Sequence, residues 1–409
     1  MRCAILLAVM TGLMFAREID AQTVNDPTLA VNRWTSGFDR PTAGAWLGGG
    51  DLLIAEKNTG RVKLVRNRQN LGTVLDLPVN GDSERGLLGM TLSPDFANDR
   101  FVYLYYTAAA SDGAAPISNK ISRYRWTGDE LVFNRKIRDL PVLPGANHNG
   151  GKMVFDKAGQ LYVALGDLNR NERQLNNASS QTIGLAGTVL RLDSAGKSVT
   201  TNPFYDPARV GRADEPLNDI FAYGIRNSFG IDLDPVTGDL WQSENGASSY
   251  DEINRLRPGA NSGWRDFMGP IARSGSSEAD LVSLGDAAYY ADPRFAWVRP
   301  VAPTDVMFFP TNRLGKQHRN RLFAGATKQG LIYRFDLSPS RRTLALAGAL
   351  ADGVADNGDE LLDEQDAIVF GQGFGLVSDL FTGPGGMYVL DYSGGTLYRI
   401  TTLGSAPAG

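Results

Sequence analysis

The sequence of 409 residues predicts an all-β fold, a six-bladed β-propeller of four-stranded antiparallel sheets with long inserted loops. Three observations support this prediction. Glycine supplies 47 residues, about half again the usual share. Turn pairs such as Asn80-Gly81, Asp112-Gly113 and Pro258-Gly259 separate short runs rich in Val, Tyr, Phe and Leu, as tight connections between strands require. A pair of strands also recurs along the chain, and helical periodicity is weak.

The recurring unit is an apolar strand that ends in small or acidic residues, followed after a turn by a strand that ends in aromatic or basic residues. Its six copies are Asp51–Ala55 with Arg61–Val65, Phe101–Tyr106 with Ile121–Trp126, Gln160–Ala164 with Thr188–Leu192, Asp239–Gln242 with Glu252–Leu256, Arg321–Ala324 with Gly330–Phe335, and Gly386–Leu390 with Gly395–Ile400. Such repetition is typical of blades around a central channel. Two β-sandwiches would also contain short strands, but they would not explain one paired unit repeated six times.

Residues 1–21 have the pattern of a secretory signal peptide. A single early charge, Arg2, precedes the apolar run Ala4–Ala16, and small residues place cleavage after Ala16 or Ala21. A membrane anchor is the alternative, but the apolar run is short for a span. The single cysteine, Cys3, lies in this segment. We therefore expect residues 22–409 to form one propeller domain, periplasmic or secreted, without a membrane span after cleavage.

Charge and motif content narrow the function classes. The net charge is −4, and no cluster of Lys and Arg interleaved with aromatic residues appears, so nucleic-acid binding is not expected. No glycine-rich fingerprint of a nicotinamide nucleotide is present. The acidic segment Asp352–Asp366 lacks the spacing of a calcium-binding loop, and the candidate helices, such as Leu361–Phe370, are short.

Two polar residues suggest acid–base chemistry. His148, one of only two histidines, stands in the glycine-bordered loop Asn147–Gly151 ahead of a strand, where it could accept a substrate proton or merely hydrogen-bond a turn. Asp167 follows the apolar strand Leu161–Leu165, and one hairpin would bring it beside His148. A carboxylate there would orient the imidazole and stabilise its protonated form, although a Gly-Asp pair also suits a simple turn.

A third candidate, Arg226, occurs with Asn227 in the loop Tyr223–Gly230, again just ahead of a strand. An arginine on such a loop offers fixed donors to an anionic ligand or to negative charge that develops in a transition state. A structural ion pair is the alternative interpretation.

Several motifs, in order along nearly the whole chain, resemble those of the quinoprotein glucose/sorbosone dehydrogenase family. They are Glu84-Arg85-Gly86-Leu87-Leu88-Gly89-Met90 with Ser93-Pro94-Asp95-Phe96, His148-Asn149-Gly150-Gly151, Gly159–Val163 with Gly166-Asp167, Arg226-Asn227 with Gly230, Ser243-Glu244-Asn245-Gly246, Asp251–Asn254, Asn261 with Gly263-Trp264, Ala302-Pro303-Thr304, Lys328 with Gly330, and Leu397–Ile400.

The resemblance implies a six-bladed propeller that holds pyrroloquinoline quinone (PQQ) with Ca²⁺, oxidises a sugar or polyol hydroxyl by hydride transfer, and passes electrons to an external acceptor. Matching positions give each candidate a role: His148 as the base, Asp167 to orient it, Arg226 to stabilise charge, Asn227 and Lys328 to hold the quinone, Glu84 on the substrate side, and the carbonyls of Gly246 and Ala247 on the calcium.

One departure from the family pattern concerns the quinone's carboxylates. Cofactor-binding members carry two arginines ahead of the aspartate that matches Asp379, whereas this chain has none in Gly375–Asp379. Losing such charge-assisted bonds would weaken binding by about two to four powers of ten. Arg299, Arg313 or Lys316 could compensate, and Trp297 lies near the place of an aromatic that stacks on the cofactor.

Because the two arginines ahead of Asp379 are absent, two other functions remain as alternatives. A non-enzymatic propeller of the same family would bind a carbohydrate or a protein without the quinone. A calcium-dependent hydrolase would need several carboxylate and amide side chains that converge on the metal, and fold alone is weak evidence for such chemistry.

Overall fold

A computed structural model describes residues 22–169, 184–356 and 364–404. The strands of this part of the chain are β1 (Thr23–Val24), β2 (Leu29–Ser36), β3 (Pro41–Gly48), β4 (Asp51–Glu56), β5 (Arg61–Arg66), β6 (Gln69–Asp76), β7 (Leu87–Leu92), β8 (Phe101–Ala109), β9 (Pro116–Trp126), β10 (Leu131–Leu140), β11 (Met153–Phe155), β12 (Leu161–Leu165), β13 (Thr188–Leu192), β14 (Ile220–Tyr223), β15 (Gly230–Leu233), β16 (Leu240–Glu244), β17 (Asp251–Leu256), β18 (Ala260–Asn261), β19 (Tyr289–Tyr290), β20 (Phe295–Trp297), β21 (Pro303–Phe308), β22 (Leu322–Ala326), β23 (Ile332–Phe335), β24 (Val354–Ala355), β25 (Val369–Gln372), β26 (Val377–Gly383), β27 (Gly386–Asp391) and β28 (Thr396–Thr402).

Helical structure is confined to short pieces. A single α-helical turn, α1, spans Phe96–Asp99. The 3-10 helices of the described residues span Pro207–Arg209, Glu215–Asp219, Ile271–Arg273, Glu278–Asp280, Lys316–His318, Lys328–Gly330, Gly348–Asp352 and Gln365–Ile368. The last of these is what the structure shows of the predicted helix Leu361–Phe370, whose first three residues lie outside the described part.

The described strands form six sheets, here numbered I to VI along the chain. In order of hydrogen-bonded neighbours they are sheet I (β3-β4-β5-β6), sheet II (β7-β8-β9-β10), sheet III (β11-β12-β13-β14-β18-β19), sheet IV (β15-β16-β17-β20-β24), sheet V (β21-β22-β23-β25-β1) and sheet VI (β26-β27-β28-β2). The predicted all-β propeller of small antiparallel sheets is thereby confirmed. Each of the six predicted strand pairs forms neighbouring antiparallel strands.

The prediction of uniformly four-stranded sheets is wrong for sheets III, IV and V. The loop between β17 and β20 of sheet IV adds β18 and β19 in parallel beyond β14 of sheet III. The loop between β23 and β25 of sheet V likewise adds β24 in parallel beyond β20 of sheet IV. These additions occupy hydrogen-bonding groups that an open sheet edge would leave unpaired. The inserted loops therefore extend the outer edges of these sheets.

The first main strand of each sheet packs against its counterpart in the next sheet. Strands β3, β7, β11, β15, β21 and β26 contact one another in this cyclic order, and β26 contacts β3. Gly230 in β15 permits a close approach, because a Cβ there would lie 2.4 Å from the Val306 nitrogen. These six strands consequently form the inner wall of a closed ring.

A half-buried lysine links four of the sheets near the centre of the ring. The Lys152 ammonium lies 2.8 Å from an Asp305 oxygen and 2.5 Å from Asp379, and Asp379 also accepts a 2.8 Å hydrogen bond from the Gly44 nitrogen. Burial would lower the pKa of Lys152, but the two aspartates raise it. A charge so compensated tolerates burial, and removing one partner would be strongly destabilising.

The N-terminal segment joins the ends of the ring. Strand β1 pairs with β25 of sheet V, and β2 then pairs with β28 of sheet VI. We call residues 22–36 the N-terminal strap. The predicted signal peptide, residues 1–21, lies outside the described residues. Within the part that the structure describes, no helix has the length and apolar character needed to cross a membrane.

Candidate active site

A cavity of about 730 Å³ lies at the centre of the ring, and all six sheets or the loops beside them contribute to its wall. Inner strands supply Thr42, Leu88, Thr304 and Val377. Six of the predicted site residues line it, namely Glu84, His148, Arg226, Asn227, Gly246 and Lys328. The structure thus brings most of the sequence-predicted site together.

Two predicted residues fall outside the cavity wall. Asp167 is completely buried behind His148. Ala247 follows the cavity residue Gly246, but it is exposed and does not belong to the lining. The predicted calcium contact at Ala247 would therefore come from the edge of the site.

His148 and Asp167 form a close pair, as their positions in sequence predicted. The His148 Nδ1 atom lies 2.5 Å from the Asp167 Oδ1 atom. Asp167 also accepts a 2.8 Å hydrogen bond from the Trp264 indole and a 2.9 Å bond from the Asn169 nitrogen. Since a carboxylate accepts, the pair places a proton on Nδ1 and leaves Nε2 as the nitrogen available to a ligand.

Gly166 allows the backbones of the His148 and Arg226 loops to converge beside Asp167. A Cβ at Gly166 would lie 2.5 Å from the His148 carbonyl oxygen and 2.7 Å from that of Arg226. The Asp167 nitrogen donates a 2.8 Å hydrogen bond to the Arg226 carbonyl. His148 itself adopts a left-handed backbone with φ of 61°, which is uncommon outside glycine and concentrates at functional sites.

Glu84 connects the His148 loop to the Arg226 loop. Its Oε2 atom accepts a 2.5 Å hydrogen bond from the His148 nitrogen and a 3.2 Å bond from the Asn227 side-chain amide. The neighbouring Asn149 carbonyl accepts from the Tyr105 hydroxyl at 2.8 Å. Glu84 therefore holds the loops in place in addition to lining the cavity.

Arg226 is fixed by its backbone and by one end of its guanidinium group. Its nitrogen donates to Glu244 at 2.6 Å, and Nη1 donates to the Asn245 carbonyl at 2.8 Å. The guanidinium carbon lies 5.4 Å from the centre of the Trp264 ring, within reach of a cation–π contact. The Arg226 Nε and the Asn227 Oδ1 are buried without a hydrogen-bond partner in the described chain. Such groups are candidates for bonds to a ligand.

Buried carboxyl groups support the Arg226 loop from behind. Glu244 and Glu252 face each other across β16 and β17, and the Asn254 amide donates to both, at 3.3 and 2.9 Å. Burial and repulsion from Glu252 raise the pKa of Glu244 well above its usual range, and burial raises the pKa of Glu252 to about 7. The pair therefore retains a proton near neutral pH.

Metal-binding side chains are not clustered in this part of the chain. Among the described residues, no group of three or more His, Cys, Asp or Glu side chains is arranged to hold a metal ion. The contacts predicted for calcium, at Gly246 and Ala247, are backbone carbonyls, which a hard cation accepts. The Gly246 nitrogen donates to Asp251 at 2.9 Å, which helps to fix this turn.

The residues that the sequence suggested as compensating cations or as a stacking aromatic near the quinone lie outside the cavity lining. Trp297 is fully buried in β20, with ring centroids 4.8 Å from Phe295 and 5.0 Å from Tyr333, so it packs between sheets IV and V and not on a ligand. Arg299, Arg313 and Lys316 all lie outside the cavity lining, and Arg313 instead donates to the Gly383 carbonyl. Their proximity in sequence to site residues does not bring them into the cavity.

Among the residues of the site that received no role from sequence, three carry polar groups of particular interest. Trp264 was part of a family-like motif, and a role could have been suspected from the indole N–H, which needs an acceptor when buried. Lys57 and Lys152 line the cavity from sheets I and III, and nothing in their local sequence signals this position.

Comparison with known proteins identifies the family of this chain. Residues 38–355 match the glucose/sorbosone dehydrogenase family. Aldose sugar dehydrogenase YliI of Escherichia coli K12 is 28% identical over 390 residues, which cover 91% of this chain and 93% of that protein. Quinoprotein glucose dehydrogenase B of Acinetobacter calcoaceticus is 28% identical over 269 residues, which cover 60% of this chain and 54% of that protein.

The fold comparison gives the same result. A crystal structure of a putative glucose dehydrogenase from Thermus thermophilus matches with a TM-score of 0.70 and 28% identity, covering 91% of this chain and 99% of that one. Since the family match extends over most of the chain, the protein belongs to the glucose/sorbosone dehydrogenase family.

Proposed function

We propose that the protein is an exported PQQ- and calcium-dependent dehydrogenase that oxidises a sugar or polyol hydroxyl, with His148 as the general base. The observation that carries the proposal is His148 in the wall of a central cavity, with Asp167 bonded to it from behind and Arg226 in the same wall. The similarity to an aldose sugar dehydrogenase and to a quinoprotein glucose dehydrogenase supports the substrate class and the cofactor. We also propose that each of the six sheets is one blade.

The chain's own residues would perform the proton chemistry. The Nε2 atom of His148 would accept the hydroxyl proton, while Asp167, bonded to Nδ1, would stabilise the resulting imidazolium. Arg226 would stabilise negative charge on the substrate oxygen as that proton leaves. A bound quinone would supply the acceptor for the hydride of the substrate's C–H bond, and its electrons would pass to an external acceptor. The hydroxyl carbon would become a carbonyl.

The donors in the cavity suit a flat, anionic cofactor. Its volume of about 730 Å³ lies in the usual range of ligand sites. Asn227 and Lys328 would hold the quinone. The unpartnered Arg226 Nε is an available donor, and the unpartnered Asn227 Oδ1 is an available acceptor for an N–H or O–H of the ligand. Glu84 would face the substrate. The carbonyls of Gly246 and Ala247 would contact the calcium.

A non-enzymatic propeller that binds carbohydrate or protein is the second candidate. Leu376 and Ser378 line the cavity in the segment where cofactor-binding members of the family carry two arginines. This substitution of neutral side chains favours the loss of the quinone.

Binding and turnover measured together separate the two candidates. Purified protein would be titrated with PQQ and Ca²⁺ by calorimetry and then assayed for dye reduction with a panel of aldoses and polyols. The dehydrogenase predicts saturable quinone binding and sugar-dependent reduction that requires the quinone. No binding at about 10 to 100 µM quinone would contradict it and support the binding propeller.

A further inference from the structure

We propose that Lys57 is the cation that binds a carboxylate of the ligand in the central cavity, at the place where the family's arginines are absent. The site takes a carboxylate-bearing ligand, either the quinone cofactor or an acidic sugar. Assigning that carboxylate to the quinone rests on the proposed function, whereas a carboxylate site at Lys57 does not.

Lys57 is a buried cation in the cavity wall. It follows β4, lines the cavity and is only 6% exposed. Its Nζ donates to the Asn58 side-chain oxygen at 2.7 Å and to the Gly81 carbonyl at 3.1 Å. An ammonium group has three donors, and both of these partners are neutral. Lys57 makes no ion pair with any residue that the structure describes, so one donor remains for a ligand and no carboxylate contacts the ammonium.

Lys57 lies on the side of the cavity near the segment Gly375–Asp379, which carries no arginine in this chain. Its backbone nitrogen donates to the Arg40 carbonyl at 3.1 Å. The Ser378 hydroxyl donates to the next carbonyl along the chain, that of Pro41, at 2.7 Å. Lys57 and Ser378 are therefore anchored to consecutive residues where sheets I and VI meet. A ligand carboxylate that would meet arginine from sheet VI in other members can meet Lys57 from sheet I.

The other cations of the cavity differ from Lys57 in their ion pairs, their exposure or their position in the wall. Lys152 already contacts both Asp305 and Asp379. Lys328 is exposed and donates to the Pro300 carbonyl at 2.8 Å, and Arg226 lies beside Trp264 on the opposite loops. Lys57 is thus the buried cavity cation that lacks a carboxylate at contact distance among the described residues.

The side chain of Lys57 is held before a ligand arrives. A Cβ at Gly86 would lie 2.8 Å from the Lys57 Cγ and 2.3 Å from its carbonyl oxygen, so only glycine permits this packing. The Leu87 nitrogen donates to the same carbonyl at 2.9 Å. A positioned cation loses little conformational entropy on binding, which favours affinity.

The charge of Lys57 is sensitive to its surroundings. Burial, followed by repulsion from Arg40, lowers the pKa of Lys57 to about 8, against attraction from Glu84 and Asp82. Tyr392 lines the same cavity, and burial raises the pKa of its phenol, so it stays neutral near pH 8. A carboxylate beside Lys57 favours the charged ammonium, so ligand binding above about pH 8 is accompanied by proton uptake.

The test uses Lys57→Met and Lys57→Arg in the full protein, with Lys197→Met as a control at an exposed lysine outside the cavity. Calorimetry with Ca²⁺ present would measure binding of PQQ, of glucuronate, and of neutral glucose between pH 7 and 10. We expect Lys57→Met to weaken binding of the carboxylate ligand about 10- to 100-fold. The glucose affinity of Lys57→Met should stay within about twofold of wild type, and so should all affinities of the Lys197→Met control.

The pH dependence provides a second readout that does not require Lys57→Met to fold. Wild-type affinity for the carboxylate ligand falls as the pH rises above about 8, by at most about tenfold per pH unit. Lys57→Arg, which stays charged, removes this fall.

Four outcomes are informative. The proposal is overturned if Lys57→Met binds carboxylate ligands like wild type, if it loses glucose affinity equally, or if wild type binds neither PQQ nor glucuronate. Lysine-dependent binding of glucuronate without PQQ binding supports the Lys57 site and contradicts the quinone in the proposed function.

Discussion

Both histidines of the sequence face an aspartate, but the two pairs present opposite ring nitrogens. His148 uses Nδ1 to contact Asp167 at 2.5 Å, whereas His318 uses Nε2 to contact Asp26 at 2.8 Å. Each histidine borders a cavity. The remaining nitrogen of His318, Nδ1, is buried without a partner in the described chain, and the ring packs against Phe370 and Phe323. A His–Asp pair therefore indicates acid–base chemistry only where the second nitrogen faces the ligand.

The surroundings of the second pair indicate a structural role. His318 packs against Phe370 and Phe323, with ring centroids 5.3 and 6.2 Å away. Burial and repulsion from Arg334 lower its pKa, although Asp26 opposes this. Burial of Asp26 acts to raise its pKa, but hydrogen bonds from Thr28 and His318 hold it below the usual range. A neutral imidazole thus donates to a carboxylate in the N-terminal strap.

The largest expected difference between the pairs is in turnover. His148→Ala removes the proposed base and should lower kcat/KM about 10²- to 10⁴-fold. His318→Ala, the matched control, should retain turnover within about threefold because it is remote from the central cavity. Steady-state dye reduction at saturating PQQ measures both. A larger loss in His318→Ala than in His148→Ala would reverse the assignment.

Replacing Asp167 should lower turnover more than replacing Asp26, the aspartate of the second pair. In Asp167→Asn the imidazolium loses its stabilising carboxylate, and we expect kcat to fall about 10²-fold. Asp26→Asn, the matched control, should retain turnover within about threefold, because Asp26 lies outside the central cavity. Turnover of Asp167→Asn at the wild-type rate would contradict this role of Asp167.

The free energy of unfolding should be lowered more by His318→Ala than by His148→Ala, the reverse of the order expected for turnover. His318→Ala removes a buried hydrogen bond and aromatic packing at the strap, and we expect it to lower the free energy of unfolding by about 1 to 3 kcal/mol. His148→Ala should cost less, since Asp167 retains its bonds from Trp264 and Asn169. Urea unfolding of both variants tests the ranking. Equal losses would show that the two pairs carry similar structural roles.

The smallest expected effect is a pH dependence of stability. Because the folded-state pKa of His318 lies below its ordinary 6.5, the unfolded chain binds more protons, and stability is lost as the pH falls below 6.5. Asp26, with its lowered pKa, contributes a further loss only below about pH 4. Between pH 7 and 5, the free energy of unfolding of His318→Gln should therefore change less with pH than that of wild type. The two slopes should differ by up to about 1.4 kcal/mol per pH unit. Identical slopes would exclude His318 as the titrating group.

The sequence predicts contacts between residues that are close in the chain. It does not predict the contacts that form when the ring of sheets closes. The strand pairs and the meeting of His148 with Asp167 follow from hairpins, in which neighbours in sequence become neighbours in space. Lys57 reaches the site from sheet I, which is far from β26 in the sequence, and only the closed ring makes these two sheets adjacent. Trp297 lies in a strand that is buried on both sides, which sequence spacing alone does not reveal.

The most direct test of His148 as the base is a single-turnover experiment. Protein loaded with PQQ and Ca²⁺ would be mixed with excess aldose, and the absorbance change of quinone reduction followed in wild type, His148→Ala and His318→Ala. We predict reduction at least about 10²-fold slower in His148→Ala, with His318→Ala close to wild type. Reduction of the His148→Ala protein at the wild-type rate would contradict the assignment.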